Sequence, residues 1–357
     1  MPGQINATIV TTRATIKDVA LQAGVSPATA DRVLNARSGV SQRTRDVVLD
    51  AAQRLGYIAA PPSAASTSVA ISVGKGKIHD VVFLLPEGTN AFIQTLGKQL
   101  ILQGKERPDL RVRVEMIESF SPQTVAHHLD RLTGVAAGVG IIAQDHPLVR
   151  EAIRNLVKGG TDVVTLASDI QSVPRLAYVG IDNRQAGRLA GHLMGRLLAA
   201  APTAKIALFS GSLSYRGHEE REMGFRNILR EEFPTLQVVE TCEILDDRER
   251  AEIAAAAVLA RHPDLKGIYN VGGGSYGIAQ ALRVRGPQHP VMFIAHEATD
   301  GNKRLLLEGL VEAVIDQNPR VEAREALNIL AAAANRVPYV HVPPRTQVIF
   351  KENLPEE

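Results

Sequence analysis

Tryptophan is absent from this 357-residue chain, cysteine occurs once, and aromatic residues make up only 4%. The lone thiol, Cys242, excludes an internal disulfide framework and fits a reducing compartment. Its simplest role is that of a small buried apolar residue. No apolar run approaches the roughly 20 residues of a membrane span. The most apolar stretch, IAAAAVLA at 253–260, reads as a core helix. The opening MPGQINATIVTTRA is too polar for an export signal. Excess charge is also missing, the net being +2, but its distribution is uneven. Up to Ile78 there are 9 Lys and Arg against 4 Asp and Glu; the remainder has 31 against 34. A basic front on a mildly acidic body fits a nucleic-acid contact confined to one end. The length leaves room for a small module and a two-lobed domain in a cytoplasmic protein.

The stretch from Thr15 to Ile58 carries the strongest local signals. Thr15 and Asp18 form a Thr-x-x-Asp capping box, and Ile16, Val19, Ala20 and Ala23 fall on one helical face. Gly24 ends that helix, Ser26 caps the next, and Pro27 occupies its first position, where a missing N–H does no harm. Only a tight turn fits between them, which predicts a helix-turn-helix. The second helix buries Ala30, Val33 and Leu34 and turns Pro27, Ala28, Thr29, Asp31, Arg32 and Asn35 outward. Small residues at its start permit close approach to base edges, and Arg32 has the fork to read a guanine. Ser41 caps a third helix with Val47, Val48, Ala51 and Leu55 inside, closed by Gly56.

The pieces TIKDVA, AGVS, TADRVLN, GVSQRTR and LGYI resemble the DNA-binding headpiece of the lactose-repressor (LacI/GalR) family. The resemblance puts Pro27, Ala28 and Arg32 at base-reading positions. It puts Thr15, Ser26, Thr29, Asn35, Ser41 and Tyr57 at phosphate-facing ones. Asp31 departs from it, standing where many relatives have Ser. The segment 59–78 is small, polar and broken by Pro61 and Pro62, so it reads as a linker. Repressors of this family usually have a hinge helix here ending in a Leu that wedges into the minor groove. This chain has no Leu between 59 and 78, which leaves Val69 or Ile71, beside a helix over 64–70, as the candidate wedge.

From His79 onward, apolar runs alternate with helix-period segments. Strands are expected at 81–85, 111–117, 138–143, 162–167, 177–181, 205–210, 236–240, 266–271, 291–295 and, at the end, 346–350. Helices include 183–200, 215–232 and 319–334, and DDRER at 246–250 reads as a solvated helix start. Alternation of this kind predicts an α/β fold of parallel sheets with helices on both faces. So many strands imply two lobes, here about 79–175 with 317–335, and about 176–316 with 336–357. Ligands in such sheets bind beyond the carboxyl ends of the strands. Polar residues there include Asn90, Asp145, Ser168, Asp169, Asn270, Glu297 and Gln317, with Arg221 on the 215–232 helix and Phe92 as an aromatic face. Amides, carboxylates and a guanidinium beside a ring suit a polyhydroxylated ligand.

This body is similar to the type I periplasmic sugar-binding-protein fold that the lactose-repressor family joins to its headpiece. Asn90-Ala-Phe92-Ile resembles the family's Asn-x-Phe-Phe turn, and Arg221 lies in an Arg-x-x-Gly-Phe element. Gln317 before Pro319 matches a ligand-facing Gln. Glu297 stands where Asp is frequent. Gly272-Gly273 replaces a common Asn-Asp pair, so its two ligand hydrogen bonds are missing or shifted to Asn270 or Ser275. The resemblance implies a transcriptional regulator, a repressor and not an enzyme, with no cofactor or metal. Its partners would be a pseudo-palindromic operator, a sugar or polyol effector and a second copy of the chain. Nothing in the sequence supports a leucine-heptad tetramer. Two rivals remain. Gly272-x-Gly274-x-x-Gly277, with Glu297 twenty residues after Gly277, has the form of a nicotinamide-dinucleotide fingerprint. The body alone would also suit a solute-binding protein.

Overall fold

The computed structural model describes residues 15–16, 19–20, 23–34, 40, 44, 47–48, 51–52, 77–199 and 203–355. They fall in two compact units that divide after Lys75. Expectations for Asp18, Asn35, Ser41, Tyr57 and the hinge at 64–70 lie outside the described residues.

In the first unit, Gly24 turns the chain with φ of +64° and Val25 donates its N–H to the Ala20 carbonyl 3.0 Å away. Helix α1 (Pro27–Leu34) follows, its start capped by the Ser26 hydroxyl, which accepts from the Thr29 N–H at 3.1 Å. Ala30 and Val33 are buried against Val19, Ala20, Val48, Ala51 and Ala52, while Leu34 is only half-buried. Val47 was expected inside but is 45% exposed, and Ala52 takes the inner position. At 100° per residue, 48, 51 and 52 share one stripe and 47 falls at its edge.

The second unit contains two sheets. The first has the order β2-β1-β3-β4-β5, all parallel: β1 (His79–Pro86), β2 (Leu110–Ile117), β3 (Gly138–Ile141), β4 (Asp162–Leu166) and β5 (Ala177–Val179). Residues Val81–Leu85 are all buried because helices cover both faces. Phe83 and Leu85 pack with α2 (Ala91–Lys105) and the late helix α10 (Pro319–Ala334). Val82 and Leu84 pack with α3 (Pro122–Leu132) and α4 (Pro147–Lys158).

The second sheet has the order β11-β10-β9-β8-β6-β7: β6 (Ala204–Ser210), β7 (Leu236–Glu243), β8 (Leu265–Asn270), β9 (Met292–His296), β10 (Ala313–Asp316) and β11 (Gln347–Ile349). Only β11 runs antiparallel. Helices α5 (Asn183–Leu197) and α6 (Arg216–Glu232) cover one face. Helices α7 (Arg248–Arg261), α8 (Ser275–Arg285) and α9 (Asp300–Leu307) cover the other. The expected break near 175 shifts, since Ala177–Val179 hydrogen-bonds to β4 in the first sheet. The chain crosses to the second sheet only after that strand, and crosses again around α10. Strand β10 was not foreseen.

Candidate functional site

Segments that follow the carboxyl ends of β1 to β4 and of β6 to β10 line a cleft between the two sheets, with about 690 Å³ of empty space including its mouth. Asn90, Phe92, Ser168, Arg221, Glu297 and Gln317 all line it. Asn90 holds its place by capping α2, accepting from the Phe92 N–H at 3.0 Å. Phe92 is buried at the helix start, and Ser168 accepts from the Gly217 N–H at 3.0 Å. Two rings that strand ends alone did not flag complete the apolar wall: Phe120 and Tyr215, edge to face at 5.7 Å.

The polar floor is a buried network. Arg221, 4% exposed, donates through Nε to Asn183 Oδ1 and through a terminal nitrogen to the Val271 carbonyl, both at 2.7 Å. The same nitrogen lies 3.6 Å from Glu297 Oε1, which accepts from Gln317 Nε2 at 2.7 Å. Burial pushes the Glu297 carboxyl up to about 8, with Arg221 opposing and Asp316 adding to the rise. Desolvation therefore outweighs the cation, so burial favours the protonated form of Glu297. Glu297 Oε2 and Gln317 Oε1 are buried without a protein partner, and a buried group of that kind costs about 1–3 kcal/mol unless something satisfies it. Glu297 also holds φ of +72°, an unfavourable conformation for a residue with a side chain. Behind it, burial holds His296 well below the usual histidine range, neutral, with Nε2 2.8 Å from the Tyr269 hydroxyl.

Three expected contacts do not line this cleft. Asp145 pairs with Arg150 at 2.6 Å. Asp169 accepts from Thr165 at 2.7 Å and the Ile170 N–H at 2.9 Å, and pairs with Arg175 at 2.6 Å. Asn270 is fully buried, with its amide donating to the Gly272 and Gly273 carbonyls and to Ser275 Oγ. These groups build turns at strand ends, and neither Asn270 nor Ser275 lines this cleft. Asp246 was read as part of a solvated helix start, yet it lines the cleft. Its Oδ1 accepts from the Gly273 N–H at 2.7 Å and its Oδ2 from Asn90 Nδ2 at 2.9 Å. The fingerprint-like glycines have local causes. Gly274 adopts φ of +86°, and at Gly277 an added Cβ would collide with the Arg248 carbonyl of α7.

In the first unit, Ser26, Pro27, Ala28 and Arg32 are exposed at α1, Thr29 is half-buried, and Thr15 is exposed at the preceding helix start. The Ser26 and Thr29 hydroxyls lie 2.9 Å apart.

A two-sheet body with a polar cleft at its strand ends has the architecture of a ligand-binding protein, and the periplasmic binding protein domain matches residues 81–336. That match spans more than half of the chain, which therefore belongs to the periplasmic binding protein domain family, and the lacI model of bacterial regulatory proteins matches residues 15–60 ahead of it. It is 31% identical over 221 residues to catabolite control protein A of Priestia megaterium, covering 61% of each chain. Over 269 residues it is 26% identical to the ribose operon repressor of Bacillus subtilis, covering 71% of this chain and 72% of that one. Several of the curated relatives, catabolite control protein A among them, are matched over only about six tenths of their length. Among solved structures, an ABC transporter solute-binding protein of Burkholderia graminis in complex with D-arabinose shares the fold, with TM-score 0.72 and 21% identity. It covers 78% of this chain and 97% of that one. A putative LacI transcriptional regulator of Bacteroides fragilis has TM-score 0.68 at 19% identity, covering 78% and 98%.

Proposed function

We propose that this chain is a transcriptional repressor that binds operator DNA through its first unit and a small neutral sugar or polyol in its cleft. One observation carries the DNA reading. Helix α1 buries Ala30 and Val33 and leaves Pro27, Ala28 and Arg32 exposed on the opposite side. A helix that is small at its start and carries an outward guanidinium is suited to the major groove. The proposed base readers are Pro27, Ala28 and Arg32; Thr15, Ser26, Thr29, Asn35, Ser41 and Tyr57 are the proposed phosphate contacts. The names of the relatives, a catabolite control protein and a ribose operon repressor, support the regulatory role and its sign. In this reading the protein works in the cytoplasm, and the cleft is a sensor and not a catalytic centre.

The proposed effector contacts are Asn90, Phe92, Ser168, Arg221, Glu297 and Gln317. Protonated Glu297 offers a donor, Gln317 Oε1 an acceptor, and the Phe92, Phe120 and Tyr215 rings an apolar wall for a sugar face. The chain acts as a homodimer over a pseudo-palindromic site. Exposed Leu102 on α2 and Met116 on β2, which line one groove, support a self-contact there. The test is Arg32→Ala in an electrophoretic titration of a selected operator and of random DNA. Operator affinity should fall by roughly 1–3 kcal/mol with specificity relaxed at one base pair. Equal losses on both DNAs would remove Arg32 from the base-reading role.

A further inference from the structure

The glycines at the cleft wall raise a question of cause. Gly211, Gly272 and Gly273 all sit at strand ends, and none has the positive φ that demands glycine. What excludes a side chain there is space. A Cβ on Gly211 or Gly272 would fall within 3.0 Å of Asp246 Oδ1, and one on Gly273 would meet Asp246 Cβ at 3.0 Å and Asn90 Nδ2 at 3.2 Å. The room that a longer residue would fill is already occupied by Asp246, reaching in from the loop after β7, and at Gly211 and Gly272 also by the His218 ring of α6. Leu245 and Asp246 both hold left-handed φ, +51° and +54°. Two such residues in succession are unfavourable for residues with side chains, and the turn is held by the Leu245 N–H on the Gly211 carbonyl at 2.8 Å and the Asp247 N–H on the Ile244 carbonyl at 2.9 Å.

We infer that Asp246 is the effector-contacting carboxylate of this wall, admitted by Gly211, Gly272 and Gly273, and that it selects ligands presenting neutral hydrogen-bond donors there. The inference rests on the cleft being an effector site. A carboxylate has about four lone-pair positions, and the protein uses one on each oxygen, from Gly273 N–H and Asn90 Nδ2. The remaining positions take hydroxyl protons. An acceptor-only group, such as an aldonate carboxylate or a phosphate, would meet Asp246 with no proton to share. Asn90 belongs to the first sheet's helix and Asp246 to the second sheet's loop, so a ligand at this corner is gripped from both sides.

The full chain is tested by calorimetric titration against neutral pentoses, hexoses and hexitols, with the matching aldonates and sugar phosphates as a second arm. Wild type is expected to bind a neutral compound and to reject its acid counterpart. Asp246→Asn, which keeps shape, should weaken that compound tenfold or more, the size of a charge-assisted hydrogen bond. Gly273→Asp alone should abolish binding by collision. Combined with Asp246→Gly it should recover to within tenfold of wild type, because the carboxylate returns from the other side of the same gap. Indifference of Asp246→Asn to the neutral ligand overturns the inference but leaves the effector reading standing. So does a double variant no better than Gly273→Asp, or a wild type that prefers the acid. If nothing in either arm binds wild type, the effector reading fails and takes the inference with it.

Discussion

Glu297 is the residue where burial has the most measurable consequence. Its carboxyl is raised from 4.5 to about 8, mainly by desolvation. The folded state therefore holds a proton that the unfolded chain releases near pH 4.5, and stability falls as pH rises from there through about 8. At about 1.4 kcal/mol per unit, the full swing is at most roughly 5 kcal/mol. Glu297→Gln keeps the amide-like shape and removes the titration, so its melting temperature should gain on wild type between pH 6 and pH 9. Parallel thermal melts across that range decide it; an unchanged difference would mean the site is wetter than its burial implies. Asp169 gives the opposite kind of prediction. Its oxygens are taken by Thr165, Ile170 and Arg175. Asp169→Ala should thus cost about 2–3 kcal/mol in urea unfolding while ligand affinity stays within twofold of wild type. These two cases mark what was legible. Arg221, Glu297 and Gln317 could be read because position after a strand, together with family likeness, points at the cleft. Asp145, Asp169 and Asn270 share that position, but their polar atoms are taken up mainly by turn atoms and arginines within six residues, and position after a strand does not say whether such a neighbour or a ligand takes them. Asp246 was hidden because its role depends on space left by glycines 26 and 27 residues further on.

At the level of elements, the placement of Arg221 depends on how closely α5 and α6 approach. Gly187 of α5 faces the Arg221 carbonyl, Gly224 of α6 faces the Arg184 carbonyl, and Gly191 faces Ile228. A Cβ at any of these would fall within 3.0 Å, against backbone at the first two, which cannot swing aside. Gly224→Ala should therefore push the helices apart, at about 1–3 kcal/mol of overpacking, and carry Arg221 away from Val271 and Glu297. The expected result is a lower urea midpoint together with at least tenfold weaker ligand binding. A loss of stability with intact binding would show that Arg221 is held by the sheet and not by the helix pair. Strand and helix alternation was legible here because parallel strands buried on both faces read as continuous apolar runs. Strand β10 escaped because Ala313–Asp316 is only four residues long and emerges from a glycine turn at Gly309. Strand β5 was assigned to the wrong sheet for a different reason. A three-residue strand carries no mark of which neighbour it will pair with, so chain order alone put the crossing before it.

For the whole molecule, the two units set up a thermodynamic test that needs no knowledge of how they are arranged. If effector and operator both bind one chain and influence each other, the factor by which the effector changes operator affinity must equal the factor by which operator changes effector affinity. Couplings of this type are typically about 1–3 kcal/mol, or 5- to 150-fold. The compact unit from Gly76 onward contains both sheets and the cleft, so a chain beginning there should fold and bind the same ligand. At 100 times its dissociation constant the ligand should add about 2.7 kcal/mol of stability. It should do so equally whether or not operator is present, since the shortened chain has lost the exposed face of α1. In the full chain, titrations with and without operator should differ by the reciprocal factor. Full-length protein whose ligand affinity ignores saturating operator, with operator binding intact, would reduce the cleft to a passive binding site and sever sensing from DNA control.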